Sequence, residues 1–226
     1  MEKIIKLGTD PVPLDSFKKA RIDEGGEFRA TTYLDFVNPE KNSYKKVLLE
    51  EQFYLCAYCN KLLSEENLHH LKIEHWYPQS LCKKDANYKT INAADILHSN
   101  MLLVCNGESV NPKYRHCDSS RTPKKMLTIK PQDSGYSFDL FLRYEGGKLI
   151  SSDHDINIDI KELNLNHEDL MYKRRIVLDQ FRKILLSLNR NSINKVALLK
   201  KYSNPNSEGR KAQYCTLILN EIKKIK

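Results

Sequence analysis

A chain of 226 residues, 40% hydrophobic and 29% charged, can bury a sizeable core in one domain or two small ones. No apolar run is long enough to span a bilayer. The start, MEKIIKLGTDPVP, has charges inside its only apolar patch and no small-residue cleavage site, which argues against a signal peptide. A cytoplasmic location is therefore expected, where six cysteines serve as metal ligands or reduced core thiols rather than disulfides. The formal net charge of +8 leans weakly towards a polyanionic partner such as nucleic acid.

Residues 8–13, GTDPVP, read as a loop, because two prolines and a glycine oppose regular structure. The stretch 43–55, SYKKVLLEEQFYL, predicts a helix with Ser43 as its cap, delivering the chain to Cys56. After CAYCN, the run LHHLKIEHWYP alternates and stops at Pro78. It predicts a strand with Leu71, Ile73 and His75 on one face and Lys72, Glu74 and Trp76 on the other. Residues 92–98 predict a short helix, MLLVC (101–105) a second strand, 106–116 a loop and 117–125 a helix or turn.

Beyond residue 130, two strands are predicted around Gly146–Gly147. A long amphipathic helix follows, capped by Asn166, with Val177, Phe181, Ile184, Leu185 and Leu188 as its buried stripe. Lys173–Arg174–Arg175 and Arg182–Lys183 fall on its polar side, a solvated face before it is a nucleic-acid contact. Further helices are expected over 192–202 and 209–224. The organisation is an N-terminal segment 1–42, a central module 43–130 and a hairpin with helices over 131–226.

The central module carries the chemistry. Cys56 and Cys59 have the two-residue gap of a zinc knuckle. Cys105 and Cys117 form a wider pair. Their eleven-residue gap is not that of a standard knuckle, so this pair is the weaker zinc signal; the lesser alternative is that Cys105 is a core strand residue and Cys117 an incidental thiol. Cys82 and Cys215 lack partners by spacing and read as structural or surface thiols. Glu74 and His75 are a carboxylate and a possible base side by side. They point to opposite faces of a strand, and they meet at one site only where the strand twists or ends. The inverted zinc-protease pattern H-x-x-E-H is excluded: Leu71 stands where its first histidine is needed, and His69 and His70 come too early.

The order CAYC, IEHWYP, SNMLLVC and HCDSSR resembles the HNH endonuclease domain, mainly across residues 43–130. More narrowly, CAYC, IEH-x-x-P and N-x-L-x-x-C resemble the retron- and Septu-associated PtuB-like HNH nucleases. YSFDLFLRYEGGKLI and ELNLNHEDL extend that likeness. The resemblance implies an α+β fold, a zinc-stabilised ββα-metal module with flanking helical segments. It implies His75 as the base that activates water and Glu74 as an acidic ligand of a catalytic Mg²⁺ or Mn²⁺. Asn100 would hold the loop between the strands. Asp118 would be the final metal ligand, where the family has histidine or asparagine.

Cys56, Cys59, Cys105 and Cys117 would hold a structural Zn²⁺, the second pair stretched by an insertion. Arg121 is expected to contact a phosphate, with Lys124 and Lys125 gripping the backbone of a DNA or RNA substrate. The resemblance also implies a PtuA-like ATPase partner, docked by the C-terminal helices. Trp76 is expected to shield the metal strand rather than stack on a base. The rival expectation is a non-catalytic zinc module that binds nucleic acid or a partner.

Overall fold

The computed structural model describes residues 1–22, 26–29, 32–107, 109–133, 135–137, 141–188 and 193–225. Met1 and Ile4 are buried, and Ile4 N–H bonds the Pro131 carbonyl (2.9 Å), so the first residues are stitched to the middle of the chain. Helix α1 spans Val12–Lys19. The predicted loop therefore ends at Pro11. Pro13 sits in the first helical turn, where a missing N–H costs nothing.

Helix α2 spans Glu40–Glu51, starting three residues before the predicted cap. Ser43 lies inside it and returns its hydroxyl to the Pro39 carbonyl (3.4 Å). The helix also stops early, because Phe53 and Tyr54 adopt positive φ and turn the chain into Cys56. Tyr44, Leu48 and Leu49 are its buried face.

Strand β1, Lys72–His75, pairs antiparallel with β2, Met101–Val104, placing Glu74 opposite Leu102 and His75 opposite Met101. Every residue of β2 is buried. After Pro78 comes one helical turn, α3 (Gln79–Cys82). The helix predicted over 92–98 is instead two 3₁₀ turns, Ala94–Ile96 and His98–Asn100. The Asn100 amide takes the Ala94 carbonyl (2.8 Å), one that an α-helix would have used within its own ladder.

Among the described residues between β2 and residue 133 there are only 3₁₀ turns, at Pro112–Tyr114 and Cys117–Ser119. The helix packed on β2 is α2, which precedes the sheet. Gln52, just past α2, pairs with Leu103 like a strand neighbour: its amide donates to the Leu103 carbonyl (2.7 Å) and its oxygen accepts from the Leu103 N–H (2.7 Å).

In the last third, β3 (Leu142–Glu145) and β4 (Lys148–Ser151) form the predicted hairpin around Gly146 and Gly147, both at positive φ. Residues 138–140 of the predicted first strand lie outside the described residues. A helix not read from the sequence follows: α4, His154–Glu162, capped by Asp153, which accepts from the N–H groups of Asp155 and Ile156.

Helix α5 is Glu168–Ser187, with His167 rather than Asn166 at its cap. The Asn166 side chain is engaged elsewhere, bonding both backbone groups of Leu149. The buried stripe is Leu170, Arg174, Leu178 and Phe181. Val177 and Leu185 are only partly buried, while Ile184 and Leu188 face solvent. Helices α6 (Lys195–Ser203) and α7 (Cys215–Lys223) pack together and, with the end of α5, enclose a small cluster around Phe181, Ile218 and Ile222.

The main core runs from Met1 through β1 and β2 to Leu217, so all three segments drawn from the sequence contribute to one cluster. Among the described residues, no helix is long and apolar enough to cross a membrane. The described residues form a mixed α+β fold with two small sheets and a buried group of cysteines.

Candidate functional site

The four cysteines singled out by spacing converge. The Sγ atoms of Cys56, Cys59, Cys105 and Cys117 all lie within 4.8 Å of one another and are buried. Cys56–Cys117, Cys59–Cys105 and Cys105–Cys117 are each 3.8 Å apart. A disulfide would bring two sulfurs to about 2.05 Å. A tetrahedron of thiolates around one ion, each at about 2.3 Å, has edges of about 3.8 Å. The donors therefore fit a structural metal such as zinc. The surroundings fit as well, since the Cys105 N–H points at Cys56 Sγ (3.3 Å) and His116 Nε2 lies 3.5 Å from Cys105 Sγ. Burial raises the Cys56 thiol pKa, but hydrogen bonds from Cys105, Cys117 and Cys59 overcome this and hold it well below the ordinary value.

The wide second pair closes through its loop. His116 N–H bonds the Gly107 carbonyl (3.0 Å), so residues 107 and 116 form the neck of an excursion that returns the chain beside Cys105. Gly107 has φ +58, and a Cβ there would fall 2.1 Å from the His116 carbonyl oxygen. Only glycine fits. Cys117 itself takes positive φ and is anchored by its N–H to the Leu163 carbonyl (2.9 Å). Cys82 and Cys215 are both buried away from this cluster; the Cys215 thiol donates to Glu2 (3.5 Å).

Next to the cysteines lies a cleft of about 400 Å³ lined by Glu74, His75, Asp118 and Arg121. The side chains of Glu74 and His75 leave β1 on opposite faces, yet both reach this cleft because the strand ends at His75. Glu74 is 5% exposed and accepts from Tyr58 Oη (3.2 Å) and from Arg121. Burial, then a carboxyl–carboxyl hydrogen bond with Asp118 and its charge, push the Glu74 pKa up to about 8; Arg121 opposes the shift without cancelling it. Glu74 and Asp118 thus sit side by side. Among the described residues only the four cysteines bring together three or more metal-binding side chains, so a cation here would have two protein carboxylates. That hard-oxygen pair suits Mg²⁺ or Mn²⁺, which keep several waters and take phosphate oxygens as further ligands.

His75 is held from two sides. Its Nε2 lies 2.9 Å from the Asp95 backbone carbonyl, which can only accept, so Nε2 carries the proton and Nδ1 is the bare base. The Tyr33 ring meets the imidazole edge-on, with centroids 4.5 Å apart. Burial lowers the His75 pKa to about 4, with the Asp95 carbonyl pulling the other way.

Asn100 lies where the sequence places it, between the strands. Its oxygen accepts from Tyr77 N–H (2.6 Å) and its amide donates to the carbonyls of Tyr77 and Ala94. Trp76 donates its indole N–H to the Ile129 carbonyl and packs against the core, with Lys130 over its ring. That places it as a cover on β1. His69 and His70 are exposed.

Two basic residues depart from expectation. Arg121 gives its donors to Glu74, the His75 and Trp76 carbonyls and, twice, the Lys125 carbonyl, so its five N–H groups already have protein partners. It braces Glu74 and is not free to take a phosphate. Arg174, assigned to a polar helix face, is fully buried. It bonds the Leu165 carbonyl (2.7 Å) and lies over the rings of Tyr144 and Tyr214. Lys124 is exposed and Lys125 half-buried just past the cleft. Lys173 and Arg175 face solvent.

Sequence reading missed Tyr33, Asp95 and Tyr58, whose roles arise from contacts across long chain separations. Neither a scan of protein-family models nor a search of curated proteins returned a match for this chain.

Proposed function

We propose that the protein is a metal-dependent HNH-type endonuclease that hydrolyses phosphodiester bonds in nucleic acid. Its structural Zn²⁺ would be held by Cys56, Cys59, Cys105 and Cys117. The observation that carries this reading is the cleft itself: an imidazole with a bare Nδ1 beside two adjacent carboxylates. His75 Nδ1 takes a proton from water as that water attacks phosphorus. The Asp95 carbonyl and the Tyr33 ring hold the imidazole in the required tautomer and orientation. Glu74 and Asp118 would hold Mg²⁺ or Mn²⁺, which supplies charge neutralisation at the scissile phosphate and the leaving oxygen. Arg121 fixes Glu74, and Asn100 fixes the loop that carries Asp95.

The resemblance to PtuB-like nucleases extends the proposal to an effector of anti-phage defence that works with a PtuA-like ATPase. Among the described residues no α-helix directly follows β2, and that is the one observation that favours the rival, a non-catalytic zinc module. The test is cleavage of plasmid DNA and of RNA with Mg²⁺ or Mn²⁺, alone and with the co-expressed ATPase, comparing wild type with His75→Ala. Removing the base should lower the rate by ~10²–10⁴-fold. Equal rates for the two proteins would sink the mechanism.

A further inference from the structure

Beside the Glu74–His75–Asp118 cleft lies a second cavity of about 570 Å³, lined by Lys72, Ser109, Val110, Arg115 and Ser119. Two elements run through both. Strand β1 gives Lys72 to the cavity and Ile73, Glu74 and His75 to the cleft. The turn Cys117–Ser119 gives Ser119 to the cavity and Asp118 to the cleft. The Lys72 ammonium stands at the join, 3.2 Å from Ser119 Oγ and 4.0 Å from Asp118. Lys72 and Glu74 leave the same face of β1, about 6.6 Å apart along the strand. That is close to one phosphate-to-phosphate step. Among the described residues no carboxylate lines the cavity, which offers two cations and two serine hydroxyls.

Arg115 is exposed, yet it is held from both ends. Its Nε donates to the Ser109 carbonyl (3.2 Å). Its own carbonyl accepts from the Asn164 amide (2.8 Å), which also takes the Lys113 carbonyl (2.9 Å). Ordering a long surface side chain costs entropy that one such hydrogen bond barely offsets. What it gains is a guanidinium with a fixed plane. The two terminal nitrogens have no partner among the described residues. Two coplanar donors on one edge match two oxygens of a phosphate, a geometry that a lysine cannot reproduce.

We propose that this cavity is a flanking phosphate subsite, in which the terminal nitrogens of Arg115 hold the non-bridging oxygens of a nucleic-acid phosphate next along the strand from the one in the cleft. Lys72 screens that phosphate from Asp118. The assignment rests on the nuclease reading for its substrate class. It makes no claim about which base is recognised, since a phosphate contact carries no sequence information.

The experiment measures binding and cleavage separately. Fluorescence anisotropy of labelled DNA and RNA oligonucleotides is followed against salt in the full-length His75→Ala protein. Arg115→Gln and Arg115→Lys are added in turn, with Arg175→Gln as a control that removes the same charge outside both cavities. Zinc content and melting temperature show that each variant is folded. Arg115→Gln is expected to weaken binding about tenfold across unrelated sequences and to lower the log–log salt slope by about one. Arg115→Lys should restore the slope and only part of the affinity. Arg175→Gln should leave both unchanged. In cleavage by the protein with His75 intact, Arg115→Gln should raise KM and spare kcat. A folded Arg115→Gln protein with unaltered affinity and slope overturns the subsite while leaving the nuclease reading intact. So does an equal loss in Arg175→Gln. Full recovery by Arg115→Lys overturns the two-point contact. A selective loss at Arg115 in a protein that never cleaves supports the subsite and counts against the nuclease reading. A protein with Arg115 intact that binds no oligonucleotide overturns both.

Discussion

A carboxyl group buried against a second carboxyl resists ionisation, and Glu74 is such a group, with its pKa raised to about 8. Divalent cations bind the ionised form. If Glu74 holds a cation as proposed, binding below pH 8 must expel a proton, and Mn²⁺ affinity is expected to fall about tenfold for each unit of acidification. Isothermal titration between pH 6 and 8 measures this; Glu74→Gln should bind weakly and without that slope. The same shift has a stability consequence. The folded chain holds this proton more tightly than the unfolded chain, whose carboxyl titrates near 4.5. In metal-free protein its contribution is full below pH 4.5 and is lost as pH rises through 8, so Glu74→Gln should raise the melting temperature at pH 8. His75 has the opposite sign: its folded pKa is depressed to about 4, and stability falls as pH drops from 6.5 towards 4. Adjacent Glu74 and His75 were legible in the sequence as a pair. The braced state of Arg121 was not, because acceptors from residues 74–76 and 125 meet its guanidinium only after folding.

At the scale of elements, the knuckle at Cys56 and Cys59 could be read from spacing, and the Cys105–Cys117 pair only in part. What joins that pair is the neck at Gly107 and His116, and glycine's role there is visible only from φ and the 2.1 Å approach. Gly107→Ala should destabilise the protein by about 3 kcal/mol through backbone strain and displacement of His116. Zinc content should fall with it, as read by metal analysis and thermal melting. Cys59→Ser should lose the proposed zinc more directly. A Gly107→Ala protein with full metal content and unchanged melting would refute the neck's role. The face of α5 was misjudged for a simple reason. Hydrophobic periodicity cannot place an arginine inside, yet Arg174 takes a core position by capping the Leu165 carbonyl and lying over two tyrosine rings. Likewise α1 was hidden by two prolines that belong at its start.

Across the whole molecule, the 43–130 segment contains every proposed catalytic and zinc ligand but not its own enclosure. Asn60, the residue after the knuckle, is buried at 1% exposure. It accepts from Tyr214 N–H (3.0 Å) and Thr216 Oγ1 (2.9 Å). Met1, Ile4, Leu14 and Phe17 fill the core from the other end of the chain. A fragment of residues 43–130 is therefore expected to show no cooperative thermal transition and little tertiary chemical-shift dispersion, even with zinc added. A fragment that melts cooperatively would show the module to be self-sufficient. Contacts between residues 60 and 216 leave no mark in local patterning. This is why the motifs and the resemblance they carry imply an α+β fold yet do not reveal that its ends converge on the knuckle.

Cys117 and Asp118 are neighbours on one peptide, sharing a single 3₁₀ turn. The consequence concerns time. Under the proposed reading, a chelator acts on two clocks: a weakly held, water-rich cation leaves the carboxylates quickly, whereas an ion enclosed by four buried thiols leaves slowly. Inhibition at short exposure should reverse on adding Mg²⁺. Inhibition after long exposure should not, because the turn that aims Asp118 would have lost its anchor.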